Sequence, residues 1–132
     1  MIIVHYNKAI KNQMYYQSYN KYGAKKTVYN GRKYDSKLEA RVAQELDLRL
    51  KAKEFVEVVP QFRVKLYCYL PDGTQLYLWD YICDFRCEKP DGSYLLVEAK
   101  GVRTGRFRDN LKLLDGIWLP DHLDYDYEII QQ

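Results

Sequence analysis

Apolar residues recur at every second position along three consecutive runs in the middle of the chain: Val56 to Leu70, Leu76 to Cys87 and Tyr94 to Lys100. In the first, Phe62, Val64, Leu66 and Cys68 interleave with Arg63, Lys65 and Tyr67, and Pro60 interrupts the run. A period of two marks strands. The connectors Pro71-Asp72-Gly73-Thr74 and Lys89-Pro90-Asp91-Gly92-Ser93 are turn formers, so the three runs predict an antiparallel meander. Ahead of it, Ser36 opens a segment with Leu38, Val42, Ala43, Leu46 and Leu50 at helical spacing, which predicts a helix to about Lys53. Earlier still, Thr27 to Tyr29 and Arg32 to Tyr34 flank Asn30-Gly31, the signal of a small hairpin with a type I′ turn. After the meander, Gly101 ends the third strand. Thr104 to about Asp115 predicts a second helix with Phe107, Leu111 and Leu114 inward, stopped by Gly116, and Tyr125 to Ile130 a last strand. Residues 1 to 24 have weak periodicity; a short helix over Lys8 to Tyr19 is the reading offered there.

The order helix, three antiparallel strands, helix, strand implies an α/β (α+β) fold. Its mixed central sheet is flanked by helices, and a crossover brings the last strand parallel to a neighbour. A chain of 132 residues suits one core. The organisation expected is a basic, tyrosine-rich N-terminal extension over 1–24 and a single domain over 25–132. No apolar stretch approaches the roughly 20 residues of a membrane helix, and Met1 to Val4 is too short for a signal peptide. Cys68, Cys83 and Cys87 all fall in strand-like runs without paired spacing. That predicts reduced, buried thiols and a cytoplasmic protein. A zinc site from Cys83, Cys87 and His122 lacks the Cys-x-x-Cys or His-x-x-x-His spacing such sites use.

The net charge of +3 is unevenly spread. The first 35 residues hold six lysines and one arginine against Asp35 alone, and seven of the 14 tyrosines. Basic residues such as Lys25, Lys26, Arg32 and Lys33 interleaved with aromatics suit a nucleic-acid backbone, with cations on phosphates and rings for stacking. The alternative is a solvated, partly packed extension.

The meander also carries candidate chemistry. A hairpin centred on Asp91 sets Asp84 directly opposite Glu98, where two carboxylates repel unless a cation holds them. Oxygen-only ligation points to Mg²⁺ or a similar hard ion. Strand alternation puts Trp79, Tyr81, Cys83, Phe85 and Cys87, with Leu95, Val97 and Ala99, on one apolar face. Asp84, Glu98 and Lys100 then share the other with Ile82, Arg86 and Leu96.

Two further residues carry competing readings. Ser36-Lys37-Leu38-Glu39 is a capping-box pattern. Yet Glu39 falls near the centre of the stripe formed by Leu38, Val42, Ala43, Leu46 and Leu50, with Gln44, Glu45 and Asp47 at its margins or beyond. A buried carboxylate there needs a partner. Lys100 reads either as a strand-end lysine neutralising Glu98 or as part of the same site.

Together these residues resemble the PD-(D/E)XK nuclease superfamily, in which an Asp on one strand precedes Asp/Glu-x-Lys on the next and a Glu lies on the preceding helix. Here the pattern reads Asp84, Glu98-Ala99-Lys100 and Glu39. The likeness is closer to small phage-encoded endonucleases and Holliday-junction-resolvase-like members. It runs through Tyr34 to Arg41, Gln61-Phe62, Asp84-Phe85-Arg86 and Val97 to Thr104, and covers roughly residues 22 to 130. The Pro that precedes the motif Asp is replaced by Cys83.

The resemblance implies a restriction-endonuclease-like core and metal-dependent hydrolysis of DNA phosphodiester bonds, structure-selective in recombination or repair. Asp84, Glu98 and the Ala99 carbonyl would hold Mg²⁺, with Mn²⁺ as a substitute, and Glu39 a water or a second ion. Lys100 would orient the attacking water or stabilise developing charge. Gln61, Arg103, Arg106, Arg108 and Lys112 would contact DNA, and a homodimer would cut both strands. A non-catalytic nucleic-acid- or partner-binding module on the same fold is the alternative.

Overall fold

The computed structural model of the chain describes residues 2–5, 17–19, 25–34, 36–101 and 103–131. Its main sheet contains β5 (Glu57–Tyr69), β6 (Gln75–Glu88), β7 (Tyr94–Ala99), β8 (Tyr125–Gln131) and β1 (Ile2–His5). The strands lie in the order β1-β8-β7-β6-β5. The β5-β6-β7 meander is antiparallel, whereas β8 runs parallel to both β7 and β1. This is a mixed α+β sheet. A second, small antiparallel sheet joins β2 (Gln17–Tyr19), β3 (Lys25–Tyr29) and β4 (Arg32–Tyr34). Asn30 and Gly31 link β3 to β4 with φ of 50° and 77°, the two positive values a type I′ turn demands.

Helix α1 (Lys37–Lys51) starts where Ser36 Oγ accepts the Glu39 amide at 3.1 Å. Leu38, Val42, Ala43 and Leu46 are buried. They pack with Phe55, Phe85, Cys87, Leu95, Val97 and Ile130 on one face of the sheet. Helix α2 (Gly105–Leu113) is capped by Thr104 and covers the other face. There Phe107 and Leu111 meet Val64, Leu66, Tyr81, Cys83, Leu96, Tyr127 and Ile129.

Because helices cover both faces, the single apolar strand face expected from alternation does not exist. Consecutive residues Leu95, Leu96 and Val97 are all buried, on alternate sides. On β6, Cys83 packs toward α2 and Phe85 toward α1, although they are two residues apart. On β5, Val58 packs toward α1 whereas Phe62 and Val64 pack toward α2. Both strands therefore exchange faces between the paired rows Pro60/Phe85 and Phe62/Cys83. The residues at the step are Asp84 and Gln61, and Gln61 has φ of 56°, a left-handed conformation that a side chain rarely adopts.

Three other expectations are corrected. Gly116 does not stop the second helix: α2 continues through a π-helical turn, Leu114–Trp118, into the short α3 (Leu119–Asp121). Glycine in a helix costs only about 1 kcal/mol, less than burial of Leu114 and Trp118 on either side of it contributes. Gln44, placed at the margin of the α1 stripe, is buried. Gln17–Tyr19 is a strand and not the end of a helix; the rest of the Lys8 to Tyr19 segment lies outside the described residues. The three cysteines are free thiols, with Cys83 and Cys87 buried and Cys68 half-buried.

Candidate active site

The β6–β7 ladder ends at the pair Phe85 and Val97. One residue further, where the strands fork, stand Asp84 and Glu98. Their side chains replace the next ladder bonds. The Asp84 amide donates to Glu98 Oε2 at 3.3 Å, and the Ala99 amide donates to Asp84 Oδ2 at 2.8 Å. Two backbone donors that the fork would otherwise orphan are thus satisfied by the carboxylates.

Glu98 is buried, 5% exposed. The Tyr81 hydroxyl donates to its Oε2 at 2.7 Å and stands 2.9 Å from the Tyr127 hydroxyl. Burial first, and the Asp84 charge second, push the Glu98 carboxyl up to about 8; the Tyr81 hydrogen bond and the Lys100 charge act in the opposite direction. Burial and the same two carboxylates hold the Cys83 thiol far above its ordinary range, and its Sγ donates to the Val97 and Phe85 carbonyls at 3.4 and 3.6 Å.

Lys100 follows at the end of β7, its amide donating to the Ile130 carbonyl at 2.9 Å. Its ammonium lies 4.7 Å from the centre of the Phe107 ring, toward α2. Glu39 approaches from the α1 side. Its amide serves the Ser36 cap, while its buried carboxylate accepts from Gln61 Nε2 at 3.2 Å. Asp84, Glu98, Ala99 and Lys100 therefore meet at the fork, and Glu39 is joined to the sheet through Gln61 on the other side. Glu98 and Lys100 share the α2 side of the sheet, as alternation along β7 predicts, whereas Asp84 stands at the step in β6. Among the described residues, no three His, Cys, Asp or Glu side chains form a group that could hold a metal ion.

The donors at the fork are nevertheless all oxygen: two carboxylates and the Ala99 carbonyl. That chemistry fits Mg²⁺ or Mn²⁺. Burial above all, and the Asp84 charge after it, hold the Glu98 carboxyl high, and a cation bound there would favour its ionised form. The zinc reading fails. Cys83 and Cys87 point into opposite cores, and His122 is stacked on Trp118 at 3.8 Å with its Nδ1 2.7 Å from the Trp118 carbonyl.

The basic residues lie on two elements, the β3–β4 hairpin and α2. Arg32 and Lys33 are exposed on the β3–β4 hairpin; Lys25 and Lys26 lie on β3, their side chains outside what is described. Arg106, Arg108 and Lys112 are exposed on α2, and Arg106 stacks over the Trp79 ring at 4.1 Å. Arg103 is half-buried just before that helix. Sequence reasoning passed over Tyr81 and Tyr127, which stand in apolar rows. The signal that finds them is that a buried tyrosine hydroxyl requires a partner.

The fold and the fork define a small mixed-sheet protein in which a buried Glu98 stands beside a half-buried Asp84, with Lys100 following. The chain belongs to the family described as protein of unknown function (DUF1064), whose model matches residues 19–125. Comparison with curated proteins and with solved structures gives no match.

Proposed function

We propose that this chain is a Mg²⁺-dependent DNA endonuclease with a restriction-endonuclease-like core. We read it as structure-selective, of the Holliday-junction-resolving or repair kind found in phages. The observation that carries the reading is the juxtaposition of Asp84 and Glu98 at the strand fork, where the Asp84 amide donates to Glu98 and the Ala99 amide to Asp84, with Lys100 following on β7. The order α1, β5-β6-β7, α2, β8, with β8 parallel to β7, supports it.

Asp84, Glu98 and the Ala99 carbonyl hold the cation in this reading. When bound, it supplies Lewis-acid polarisation of the scissile phosphate and a water acidic enough to attack near neutral pH. Tyr81 and Tyr127 fix the Glu98 carboxylate in place, and the Ala99 amide does the same for Asp84. Lys100 presents a fixed positive charge to the developing negative charge of the phosphorane. Glu39 and Gln61 steady the α1 side of the site. Arg32, Lys33, Arg103, Arg106, Arg108 and Lys112 bind flanking phosphates, which position the duplex without reading its sequence. Cutting both strands takes two such sites, hence a homodimer.

The test is incubation of the purified protein with plasmid, linear, single-stranded and four-way-junction DNA, with Mg²⁺, with Mn²⁺ and with chelator. Cleavage that needs the metal and is absent from Asp84→Asn supports the reading. Wild type that binds DNA but cuts none of the substrates under any metal condition makes the chain a binding module.

A further inference from the structure

Glu39 is a buried carboxylate on α1, the layer opposite the one in which Tyr81 and Tyr127 hold Glu98. Among the described residues, Glu39, Asp84 and Glu98 form no group that could hold one ion. What the Glu39 carboxylate does reach is Gln61, whose Nε2 donates to Oε1 at 3.2 Å. Gln61 lies between the paired rows Pro60/Phe85 and Phe62/Cys83, in the row that faces Asp84. That is the row in which β5 and β6 both change sides.

Val58 and Phe62 pack on opposite sides of the sheet, so β5 must turn over between them. Pro60 cannot take the positive φ that the turnover uses, because its ring fixes φ near −65°. Val59 is β-branched, and such a residue is a genuine outlier there. Gln61 takes it, with φ of 56°. Glycine is at ease in that conformation; a residue with a side chain holds it only where the surroundings impose it. Gln61 is exposed, so its own burial does not impose it. Its amide is tied instead to a buried acceptor on a helix that the Ser36 cap and the core contacts of Leu38 and Val42 already fix.

We infer that Glu39 is a positioning residue and not a ligand of the cation: it acts through Gln61 to hold the step on which Asp84 stands. The inference rests on the reading of the fork as the site. Were the step to relax, regular alternation would carry Asp84 to the side of Ile82 and draw its Oδ2 away from the Ala99 amide.

The experiment follows hydrogen exchange of the Ala99 amide by NMR in the full chain, without metal or DNA. That amide donates to Asp84 Oδ2 at 2.8 Å, so its protection reports whether Asp84 is in place. Glu39→Ala should speed the exchange about tenfold, an effect within the range of coupling between contacting residues. Glu39→Gln keeps an oxygen acceptor and should leave it slow. Gln61→Gly takes the left-handed backbone freely and should also leave it slow. Glu39→Ala added to Gln61→Gly should then change the rate by less than about twofold. Mn²⁺ binding measured by calorimetry should follow the same pattern, weakened about tenfold or more by Glu39→Ala alone and no further by it in the glycine background. Gln61→Ala keeps the strain and loses the bond, so it should match Glu39→Ala. It decides in its place if thermal melting shows that Glu39→Ala does not fold.

An Ala99 amide indifferent to Glu39→Ala and Gln61→Ala overturns the inference. So does an equal loss of Mn²⁺ affinity from Glu39→Ala in both backgrounds, which is the behaviour of a direct ligand. Metal-dependent cutting by a chain whose Ala99 amide ignores Glu39 removes the positioning role and leaves the nuclease. The coupling seen in a chain that cuts no DNA keeps the positioning role and removes the catalysis.

Discussion

The Tyr81 hydroxyl donates to Glu98 Oε2 over 2.7 Å, deep between β6 and α2, and so fixes which way the carboxylate faces. Tyr81→Phe keeps the ring and removes that donor, also leaving the Tyr127 hydroxyl without its neighbour. Groups that orient a metal-binding carboxylate typically change affinity or rate about 10- to 100-fold. Cleavage by Tyr81→Phe should fall by that amount at low Mg²⁺ and recover in part at high Mg²⁺, measured as initial rate against metal concentration. Stability should drop by about 1–2 kcal/mol in urea denaturation. An unchanged Mg²⁺ dependence would separate Tyr81 from the site.

Lys100→Ala and Asp84→Asn should each reduce cutting by about 10²-fold or more while gel-shift affinity for DNA is nearly unchanged. Asp84→Asn retains an oxygen to accept the Ala99 amide, removes the charge beside Glu98 and should melt higher than wild type in chelator.

The pH dependence of stability isolates Glu98. Its carboxyl titrates near 4.5 in the unfolded chain and at about 8 in the fold without metal. A group raised on folding contributes its full stabilisation below its unfolded pKa and loses it as pH rises through the folded one. Metal-free protein should therefore weaken between pH 4.5 and about 8, by at most ~1.4 kcal/mol per pH unit from this group. Glu98→Gln should flatten that part of the profile in chemical denaturation measured across pH. A profile identical to wild type would remove Glu98 as its origin.

Gln44 supplies a stability test away from the chemistry. Its side chain is 2% exposed, and neither its amide nitrogen nor its oxygen has a hydrogen-bond partner among the described residues. Gln44→Met keeps the unbranched shape and the helix propensity and should stabilise the protein by about 1–2 kcal/mol. Urea denaturation midpoints decide it. A destabilised variant would mean that the amide is solvated or paired in solution.

Local chemistry made much of the fold legible. Asn30-Gly31 dictates its turn, Ser36 caps α1 and the leucine stripe aims that helix at the sheet. The Lys89 to Ser93 turn sets the β6–β7 register, which leads to Asp84 and Glu98. The exchange of faces was not legible, because every odd position from Trp79 to Cys87 is apolar or aromatic and nothing in that row marks a change of side. The change of side rests on tertiary packing of Phe85 against α1 and on the left-handed backbone of Gln61, a residue type that gives no sign of it. Glu39 looked like a choice between cap and site. Its backbone takes the first role and its carboxylate reaches across to Gln61.

The carboxylates at the fork also act as a stop codon for the sheet. By capturing the Asp84 and Ala99 amides, they end β6–β7 pairing without leaving a raw edge. A chain that had lost all chemistry would still need an oxygen acceptor at both positions to satisfy those two amides. Lys100 has no such duty for its side chain, which rests on the Phe107 ring. The two carboxylates therefore serve the architecture whatever else they do, and the Lys100 side chain can be changed without touching that role.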